Sequence, residues 1–256
     1  MTGAFYEPRD GGFMPSELTR GPWDPNAQHA GPPSALIARA VERCQPREGM
    51  RLGRIAIDIL APVPLAPLTV DARVVRPGRS VELLSASLSG PDGEVMRASA
   101  WRVAAGDQRL EDDDDRPPPG PEQGSDRDFF PTGQEFGYHT AMEYRFIKGG
   151  FLMPGPATVW MRQRVPLVAG EEPSPLARLL VVADVANGIS AVLDWREFLF
   201  INTELTVHLL RPPEGEWIGV DAVTRLDGVG LAESVLYDER GRIGRGAQTL
   251  LARRRD

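Results

Sequence analysis

The sequence predicts an α+β protein in which one structural plan, a strand, a helix and four more strands, occurs twice along the chain. Three observations support this class. Residues 174–188 carry apolar side chains at helical spacing and on the other sides as well, which is typical of a helix enclosed by other elements. Long stretches of both halves alternate apolar and polar residues, as antiparallel strands do. Short segments of the first half recur in the second half in the same order, which indicates an internal duplication.

The first half begins with an arm or short strand at residues 5–15, followed by a loop at residues 19–33 that is rich in Pro and Gly. Residues 34–43 repeat apolar side chains at helical spacing and predict the first helix. From Arg54 onward the period changes to two, which predicts four strands joined by turns that contain Gly or Pro. These strands are expected at residues 54–60, 68–75, 81–88 and 95–103.

Residues 106–128 have a different composition. They contain an acidic run at residues 111–115 and then a stretch rich in Pro and Gly, with no large apolar residue after Leu110. Such a segment cannot bury enough apolar surface to fold by itself, so it predicts an extended, solvated linker. The expected domains are therefore an N-terminal unit at residues 1–105 and a C-terminal unit at residues 129–256.

The second half follows the same plan after the linker. Strands are expected at residues 139–147 and 158–165, and the apolar helix comes next. Ser174 suits the N-cap of this helix, Pro175 its first turn and Gly188 its end. Four further strands are expected at residues 198–210, 216–225, 231–237 and 243–252.

The duplication is visible in short matching segments. The tripeptide Val-Asp-Ala occurs at residues 70–72 and again at residues 220–222. The hairpin at residues 91–101 aligns with that at residues 239–249. Two such units can join edge to edge into one continuous sheet, which removes one exposed edge from each unit. We therefore expect one compact pseudo-dimer rather than two loosely connected domains.

The two halves differ at polar positions that suggest a functional site in the second half. Asp184 stands near the end of the second helix. Gln248 stands where the first half has Ala100, and Asn202 and Thr203 enter a strand whose counterpart is plainly apolar. A carboxylate can accept a proton, and neutral amide or hydroxyl groups can orient a water molecule and a carbonyl. The alternative is structural: a helix-end Asp that reaches solvent or a backbone amide, and polar residues on the outer face of strands.

Composition and missing motifs exclude several function classes. The formal net charge of −7 argues against a nucleic-acid-binding protein, which would carry a basic face. The single cysteine, Cys44, cannot form an intramolecular disulfide or a multi-cysteine zinc site. The motifs of serine-hydrolase elbows, zinc proteases, phosphate-binding loops and dinucleotide-binding turns do not occur. His29, His139 and His208 show no metal spacing, so we expect no metal and no other cofactor. We expect His29 and His208 to be structural.

No segment predicts a membrane span or secretion. The N-terminal residues show neither the basic region nor the apolar core of a signal peptide. The longest apolar run is well short of the roughly 18 residues that cross a bilayer. We therefore expect a cytoplasmic protein that does not bind membranes.

Four segments carry a resemblance to a known family: AQHAGPPSALIARA at residues 27–40, VADVANG at 182–188, INTELTVHLLRP at 201–212 and GRIGRGAQTLLARR at 241–254. With these segments the sequence resembles the double-hotdog acyl-CoA thioesterases of the thioesterase II type. The resemblance covers nearly the whole chain apart from the linker. It implies a double hotdog, in which each antiparallel sheet wraps around its own central helix. It also implies an enzyme that hydrolyses the thioester of an acyl-CoA to a free acid and CoA without a cofactor.

The resemblance implies particular site residues. Members of this family hold the attacking water with an Asp at a helix end, a Thr or Ser on a strand and a Gln on the last strand. Asp184 and Gln248 match the first and third of these positions. For the second position, the register counted back from Pro212 favours Asn202, whereas the chemistry favours Thr203 one residue later. Neighbouring strand residues point to opposite faces, so only one of the two can face the site.

The expected mechanism is direct hydrolysis, with Asp184 as the general base or water-orienting acceptor and a backbone N–H at a helix N-terminus near the developing oxyanion. Two alternatives stay open. A hotdog dehydratase or hydratase would use a His paired with an acidic residue, and the sequence places no His close to Asp184. A double hotdog could also hold an acyl-CoA or a lipid-like ligand without cleaving it. Both a monomer and a homodimer are compatible with the sequence.

Overall fold

The computed structural model describes residues 3–108, 116–129 and 131–255 of the chain. The α-helices in this part of the chain are α1 (Gly31–Arg43), α2 (Tyr138–Ala141), α3 (Pro175–Ala183) and α4 (Ala186–Ile189). The strands are β1 (Tyr6–Arg9), β2 (Gly12–Pro15), β3 (Met50–Ile59), β4 (Thr69–Arg76), β5 (Val81–Gly90), β6 (Gly93–Ala104), β7 (Met142–Gly150), β8 (Met153–Gln163), β9 (Phe198–Asn202), β10 (Glu204–Leu209), β11 (Ile218–Asp227), β12 (Val229–Asp238) and β13 (Gly241–Arg254). None of the described helices has the length and apolar character required to cross a bilayer.

Eleven strands form one antiparallel sheet in the order β4-β5-β6-β3-β10-β13-β12-β11-β8-β7, and β9 is a further partner of β13. The two halves meet at the centre of this sheet, where β3 pairs with β10 and Ile57 lies opposite Leu205. The residues of these strands that face the helices are buried, as Ile55 and Val207 are. The continuous sheet removes one free edge from each half. It confirms the predicted α+β architecture of two joined units.

The two long helices pack side by side and run antiparallel. Gly31 at the start of α1 lies against Val181 near the end of α3. At the other end of the pair, Ser174 before α3 contacts Glu42 near the end of α1. A Cβ atom at Gly31 would lie 2.3 Å from the Val181 carbonyl oxygen, so this close approach requires glycine. Seven residues of α3 are buried, in agreement with the prediction of an enclosed helix.

The structure interrupts two elements that the sequence pattern predicted to be continuous. The apolar helix ends at Ala183, and the short helix α4 follows after a turn at Asp184. The strand predicted at residues 198–210 is divided at Thr203, where β9 ends and β10 begins. A third difference is that α2 occupies the beginning of the strand predicted at residues 139–147. The first two interruptions lie beside the predicted site residues and determine where their side chains point.

The described part of the predicted linker packs on the second half. The Trp160 indole N–H donates to the Pro119 carbonyl at 2.7 Å, Pro121 is buried, and Ser125 forms a β-bridge with β7. Pro119 and Ser125 are nevertheless exposed, so this segment is in contact with solvent and is attached to the second half through main-chain groups and one buried proline ring. The acidic run at residues 111–115 lies outside the described residues.

The hairpin of β1 and β2 forms a separate two-stranded sheet that anchors the loop before α1. Tyr6 is fully buried, and its hydroxyl donates to the Gln28 side chain at 2.6 Å. The Gln28 amide donates in turn to the Pro64 carbonyl at 2.7 Å. This chain of hydrogen bonds fixes the residue that precedes His29.

Candidate active site

Asp184 occupies the turn between α3 and α4 and is 4% exposed. Its carboxylate lies among three side chains from separate parts of the chain. The Asn202 amide donates to Oδ1 at 2.8 Å, and the Gln248 amide donates to the same oxygen at 3.0 Å. The second oxygen, Oδ2, lies 3.2 Å from Nδ1 of His29. The cluster is therefore centred on a carboxyl group that is almost completely removed from solvent.

Gln248 is fully buried on the side of β13 that faces the helices. Its amide nitrogen donates to the side chain and to the main-chain carbonyl of Asp184, at 3.0 and 3.1 Å. Its Oε1 accepts a hydrogen bond from the main-chain N–H of Asn187 at 3.1 Å. These bonds fix the orientation of the amide, because only its nitrogen can donate and only its oxygen can accept. Gln248 thus joins the sheet to the interrupted helix and holds Asp184 in place.

The break between β9 and β10 separates two neighbouring residues that the sequence left as alternatives. Asn202, the last residue of β9, lies opposite Leu250 of β13 and directs its amide at Asp184. Thr203 is exposed, and its hydroxyl donates to the main-chain carbonyl of Thr249 at 3.3 Å. The structure therefore brings together three of the four predicted site residues and leaves Thr203 outside the cluster. The chemical argument that favoured the hydroxyl is corrected by the alternation of side chains along a strand.

His29 joins the cluster from the first half of the chain, which corrects the expectation that no His lies close to Asp184. Its ring stacks on that of Tyr138, with 3.8 Å between the centroids and 6° between the planes. The Tyr138 hydroxyl donates to the Val181 carbonyl at 2.9 Å, so one side chain supports both His29 and the end of α3. Sequence reasoning missed this contact because it depends on how the two helices pack. The available signal was the position of His29 within a segment that carries the family resemblance.

Burial dominates the electrostatics of the cluster. It raises the pKa of Asp184 from 3.8 to about 7, and the hydrogen bond from Asn202 is the largest of the effects that oppose this rise. Burial also lowers the pKa of His29 to about 3, which keeps the imidazole neutral. The Asp184 carboxyl therefore changes its protonation state near neutral pH, as suits a group that accepts and returns a proton.

The start of α1 faces the Asp184 carboxylate. The main-chain N–H groups of Ala30 and Gly31 both donate toward this carboxylate, and that of Gly31 also lies 3.1 Å from Nδ1 of His29. Two prolines follow and have no N–H to contribute. The positive end of the helix dipole and these N–H groups favour negative charge here. The start of α1 therefore favours negative charge beside Asp184.

A narrow apolar cleft of about 10 Å³ lies beside β9. Phe200 and Leu250 contribute to its lining, and Leu250 is the strand partner of Asn202. One residue that lines the cleft is therefore the strand partner of a residue in the carboxylate cluster. The cleft has room for only about one water molecule, so it holds no acyl chain as it stands.

The cluster combines one acid, two amides and one neutral imidazole. In the part of the chain that the structure describes, no group of three or more His, Cys, Asp or Glu side chains is arranged to hold a metal ion. A carboxylate can take a proton from water, and amide donors can fix the geometry of that transfer. The arrangement is therefore suited to general base chemistry on a bound water.

Comparison with protein families gives two matches. Residues 112–252 match the family described as the acyl-CoA thioesterase C-terminal domain. The chain belongs to the acyl-CoA thioesterase family. Residues 19–103 match the family described as the acyl-CoA thioesterase N-terminal domain, so each half of this acyl-CoA thioester hydrolase carries its own family pattern. A search of curated proteins found no match.

Solved structures confirm the hotdog fold. A conserved protein of unknown function with a hot dog fold from Alicyclobacillus acidocaldarius gives a TM-score of 0.71 at 16% identity, covering 91% of this chain and 89% of that chain. The tesB protein of Mycobacterium avium subspecies paratuberculosis gives 0.68 at 15% identity, with 94% and 92% covered. The acyl-CoA thioesterase II TesB2 of Mycobacterium marinum gives 0.67 at 14% identity, with 89% and 91% covered. The expected double hotdog is therefore confirmed as the fold of this thioesterase family member.

Proposed function

We propose that Asp184 is the general base that activates a water molecule for attack on the thioester carbonyl of an acyl-CoA. The observation that carries this proposal is the environment of Asp184, whose pKa burial raises to about 7 within a cluster of amide donors. Near neutral pH a substantial fraction of such a carboxyl is ionised, and the protonated form is readily reached. A solvent-exposed carboxylate with an ordinary pKa would be a much weaker base.

The hydrogen bonds of the carboxylate indicate which oxygen takes the proton. Asn202 and Gln248 both donate to Oδ1, so we assign the proton to Oδ2, which lies 3.2 Å from Nδ1 of His29. In the proposed step the water oxygen bonds to the thioester carbon while one water proton moves to Oδ2. The tetrahedral intermediate then breaks its carbon–sulfur bond, and the departing thiolate takes the proton from Asp184. The products are the free acid and CoA.

The oxyanion of the tetrahedral intermediate is proposed to lie at the start of α1. The N–H groups of Ala30 and Gly31 donate toward the ionised Asp184 carboxylate. Once Asp184 has taken the water proton, its charge is neutralised and these groups can donate to the oxyanion instead. Helix α1 is 13 residues long. Its dipole therefore places partial positive charge where the negative charge develops. In this arrangement the first half of the chain stabilises the oxyanion and the second half supplies the base. Because a single chain contains every proposed group, a homodimer is not needed to complete the site.

The residues at the opposite end of the α1–α3 pair support the proposal of a single active site in each chain. Glu42 lies near the end of α1, accepts a hydrogen bond from the Ser174 hydroxyl at 2.5 Å and has a pKa raised by burial. However, Leu52 pairs with β6 at the place where Asn202 pairs with β13, and Ala100 occupies the position of Gln248, so the first half has no amide at either place. Glu42 is thus oriented by a hydroxyl rather than by two amide donors. We therefore assign the chemistry to the Asp184 end only.

One observation favours a second candidate function. The contact between His29 and Asp184 is a histidine–acid pair of the kind that a hotdog hydratase or dehydratase would need. In that case His29 would activate water for addition to the double bond of an enoyl-CoA. The family match favours thioester hydrolysis instead, and the N–H of Gly31 engages Nδ1 of the ring, so that nitrogen is not free to act as the base.

The deciding experiment is a free-thiol release assay on the purified protein with acyl-CoAs from short to long. Wild type and Thr203→Ala are expected to release CoA, whereas Asp184→Asn should lower turnover by about 10²–10⁴-fold. Hydration of an enoyl-CoA without thiol release, lost in His29→Ala, would favour the second candidate. Saturable binding of an acyl-CoA without either reaction would identify a ligand-holding double hotdog.

A further inference from the structure

A second pocket lies at the far end of β9 from the carboxylate cluster. It has a volume of about 380 Å³, and its walls include Trp23 from the loop before α1, Trp195 and Arg196 from the loop before β9, and Arg255 after β13. Both indoles are half-buried, and both guanidinium groups are exposed. The volume lies within the range of small-molecule sites.

The cations of this pocket are held against aromatic rings. The guanidinium of Arg255 lies 5.9 Å from the ring centroid of Trp23, and its Nε donates to the Trp195 carbonyl at 3.0 Å. Arg196 lies 5.0 Å from the centroid of Trp195, and the carboxylate of exposed Asp194 is 3.9 Å from it. Cation–π contacts of this kind restrain the guanidinium groups. Two positive charges beside two indoles favour an anion that carries a flat aromatic group.

Side-chain contacts link this pocket to the active site. Trp23 packs edge-on against Phe200, with 4.9 Å between the ring centroids. Phe200 and Asn202 are two residues apart on β9, so their side chains project to the same face. Asn202 in turn donates to Asp184 at 2.8 Å. The pocket and the carboxylate therefore lie along one face of one strand.

The spacing along this strand matches the length of the flexible arm in acyl-CoA. The N–H of Arg255 donates to the carbonyl of Glu197 at 2.8 Å, and Glu197 precedes Asn202 by five residues. At about 3.3 Å per residue this separation is roughly 17 Å. The pantetheine arm joins the thioester sulfur to the first phosphate through about 13 bonds, or roughly 15 Å when extended. The arm is therefore long enough to join a thioester at Asp184 to phosphates in the pocket.

A larger cationic groove lacks both the aromatic rings and the position on the Asp184 side of the sheet that such a site needs. It has a volume of about 860 Å³ and is lined by several arginines, among them Arg245, but by no Trp, Tyr or Phe. Arg245 is exposed and precedes buried Gln248 by three residues on β13, so the two side chains point to opposite faces of the sheet. The sheet itself separates this groove from the carboxylate cluster.

Building on the proposed function, we propose that Trp23, Trp195, Arg196 and Arg255 bind the phosphorylated adenosine end of the acyl-CoA substrate. The indoles stack on the adenine, and the guanidinium groups pair with the phosphates. Binding energy from this remote part of the substrate then holds the thioester against Asp184.

The test compares an acyl-CoA with the matching acyl-pantetheine, which keeps the thioester and lacks the nucleotide. The double variant Arg196→Ala/Arg255→Ala is expected to lower kcat/KM for the acyl-CoA by about tenfold or more for each lost charged contact. Its kcat/KM for the acyl-pantetheine should stay unchanged. Arg245→Ala removes one positive charge from the other face of the sheet and should change neither value. Because these side chains are exposed, the thermal unfolding temperature of either variant should fall by only a few degrees at most.

Three results would overturn the assignment: equal losses on both substrates, an equal loss in Arg245→Ala, or no loss on the acyl-CoA. Failure of the proposed function looks different, because the wild type then releases no thiol from either substrate. In that case titration calorimetry with CoA tests the pocket directly. A Kd weakened by about tenfold or more in the double variant supports the assignment, and an unchanged Kd overturns it.

Discussion

His29 and Asp184 lie 3.2 Å apart although they belong to different halves of the duplicated chain. The antiparallel arrangement of α1 and α3 creates this contact, because it sets the start of one helix against the end of the other. Neither half therefore contains the candidate site by itself. The first half contributes an imidazole and a helix N-terminus, and the second contributes the carboxyl group and its amide donors.

Activity should rise with pH through the neutral range. Burial raises the pKa of Asp184 to about 7, and the proposed base must be ionised to act. We expect kcat/KM to increase about tenfold per pH unit below this value and to level off above it. Thiol release from an acyl-pantetheine between about pH 5 and about pH 9 measures this without interference from nucleotide phosphates. A flat profile across this range would contradict the assignment of Asp184 as the base.

Asn202→Ala should impair the reaction, and Thr203→Ala should not. The Asn202 amide donates to Asp184 and lowers its pKa. Without this bond, we expect the acid limb of the pH profile to move to higher pH and turnover to fall about 10–100-fold. Thr203 is the adjacent exposed residue and serves as the matched control, with turnover within about twofold of wild type. The opposite ranking of the two variants would show that the hydroxyl, not the amide, serves the reaction.

Much of this fold could be predicted because a strand or helix that buries one face repeats its apolar residues at a regular spacing. The strands that surround the helices alternate apolar residues, and α3 is apolar on all sides because other elements enclose it. Asp184, Asn202 and Gln248 could be identified because the corresponding positions of the first half are not occupied by the same polar groups. The differences between the two halves of the sequence thus indicate most of the candidate site.

The remaining features depend on tertiary packing. His29 meets Asp184 only because two helices pack antiparallel, and no local pattern records that arrangement. The apolar spacing of α3 continues past Asp184 into α4, so the sequence pattern does not indicate the turn between the two helices. The choice between Asn202 and Thr203 depended on a single break in a strand, and a shift of one residue reverses every side chain.

Tyr138→Phe should lower stability and disturb the active site together. The Tyr138 hydroxyl is buried and donates to the Val181 carbonyl at 2.9 Å. Its loss leaves a carbonyl near the end of α3 without this donor, which costs about 1–3 kcal/mol of unfolding free energy. Because Asp184 follows directly, we also expect a lower kcat. Tyr144→Phe is the matched control, since the buried Tyr144 hydroxyl has no hydrogen-bond partner among the described residues. The measurements are urea unfolding and thiol release. Equal unfolding free energies and equal kcat values for the two variants would contradict the prediction.

Asp184→Asn should remove activity and yet make the protein more stable at alkaline pH. The ordinary pKa of 3.8 applies to this carboxyl in the unfolded chain, whereas burial raises the pKa in the folded protein to about 7. Between these values the folded state binds more protons, so the free energy of unfolding falls as the pH rises. Above about pH 7 the folded protein bears the full cost of a buried charge, about 4 kcal/mol at about 1.4 kcal/mol per pKa unit. An Asn is uncharged and can still accept from Asn202 and Gln248 through Oδ1.

Urea unfolding of wild type and Asp184→Asn at two pH values checks this prediction. We expect the advantage of the variant in unfolding free energy to grow by about 3 kcal/mol between about pH 5 and about pH 9. Asp238→Asn provides a control in which the change in unfolding free energy is expected to have the opposite sign. Burial raises the pKa of Asp238, but its hydrogen bonds with Arg211 and with main-chain N–H groups outweigh burial and hold the pKa below its usual value. That variant should be less stable than wild type at both pH values. An advantage of Asp184→Asn that does not change with pH would mean that Asp184 titrates at its ordinary pKa, and the proposed base would lose its physical support.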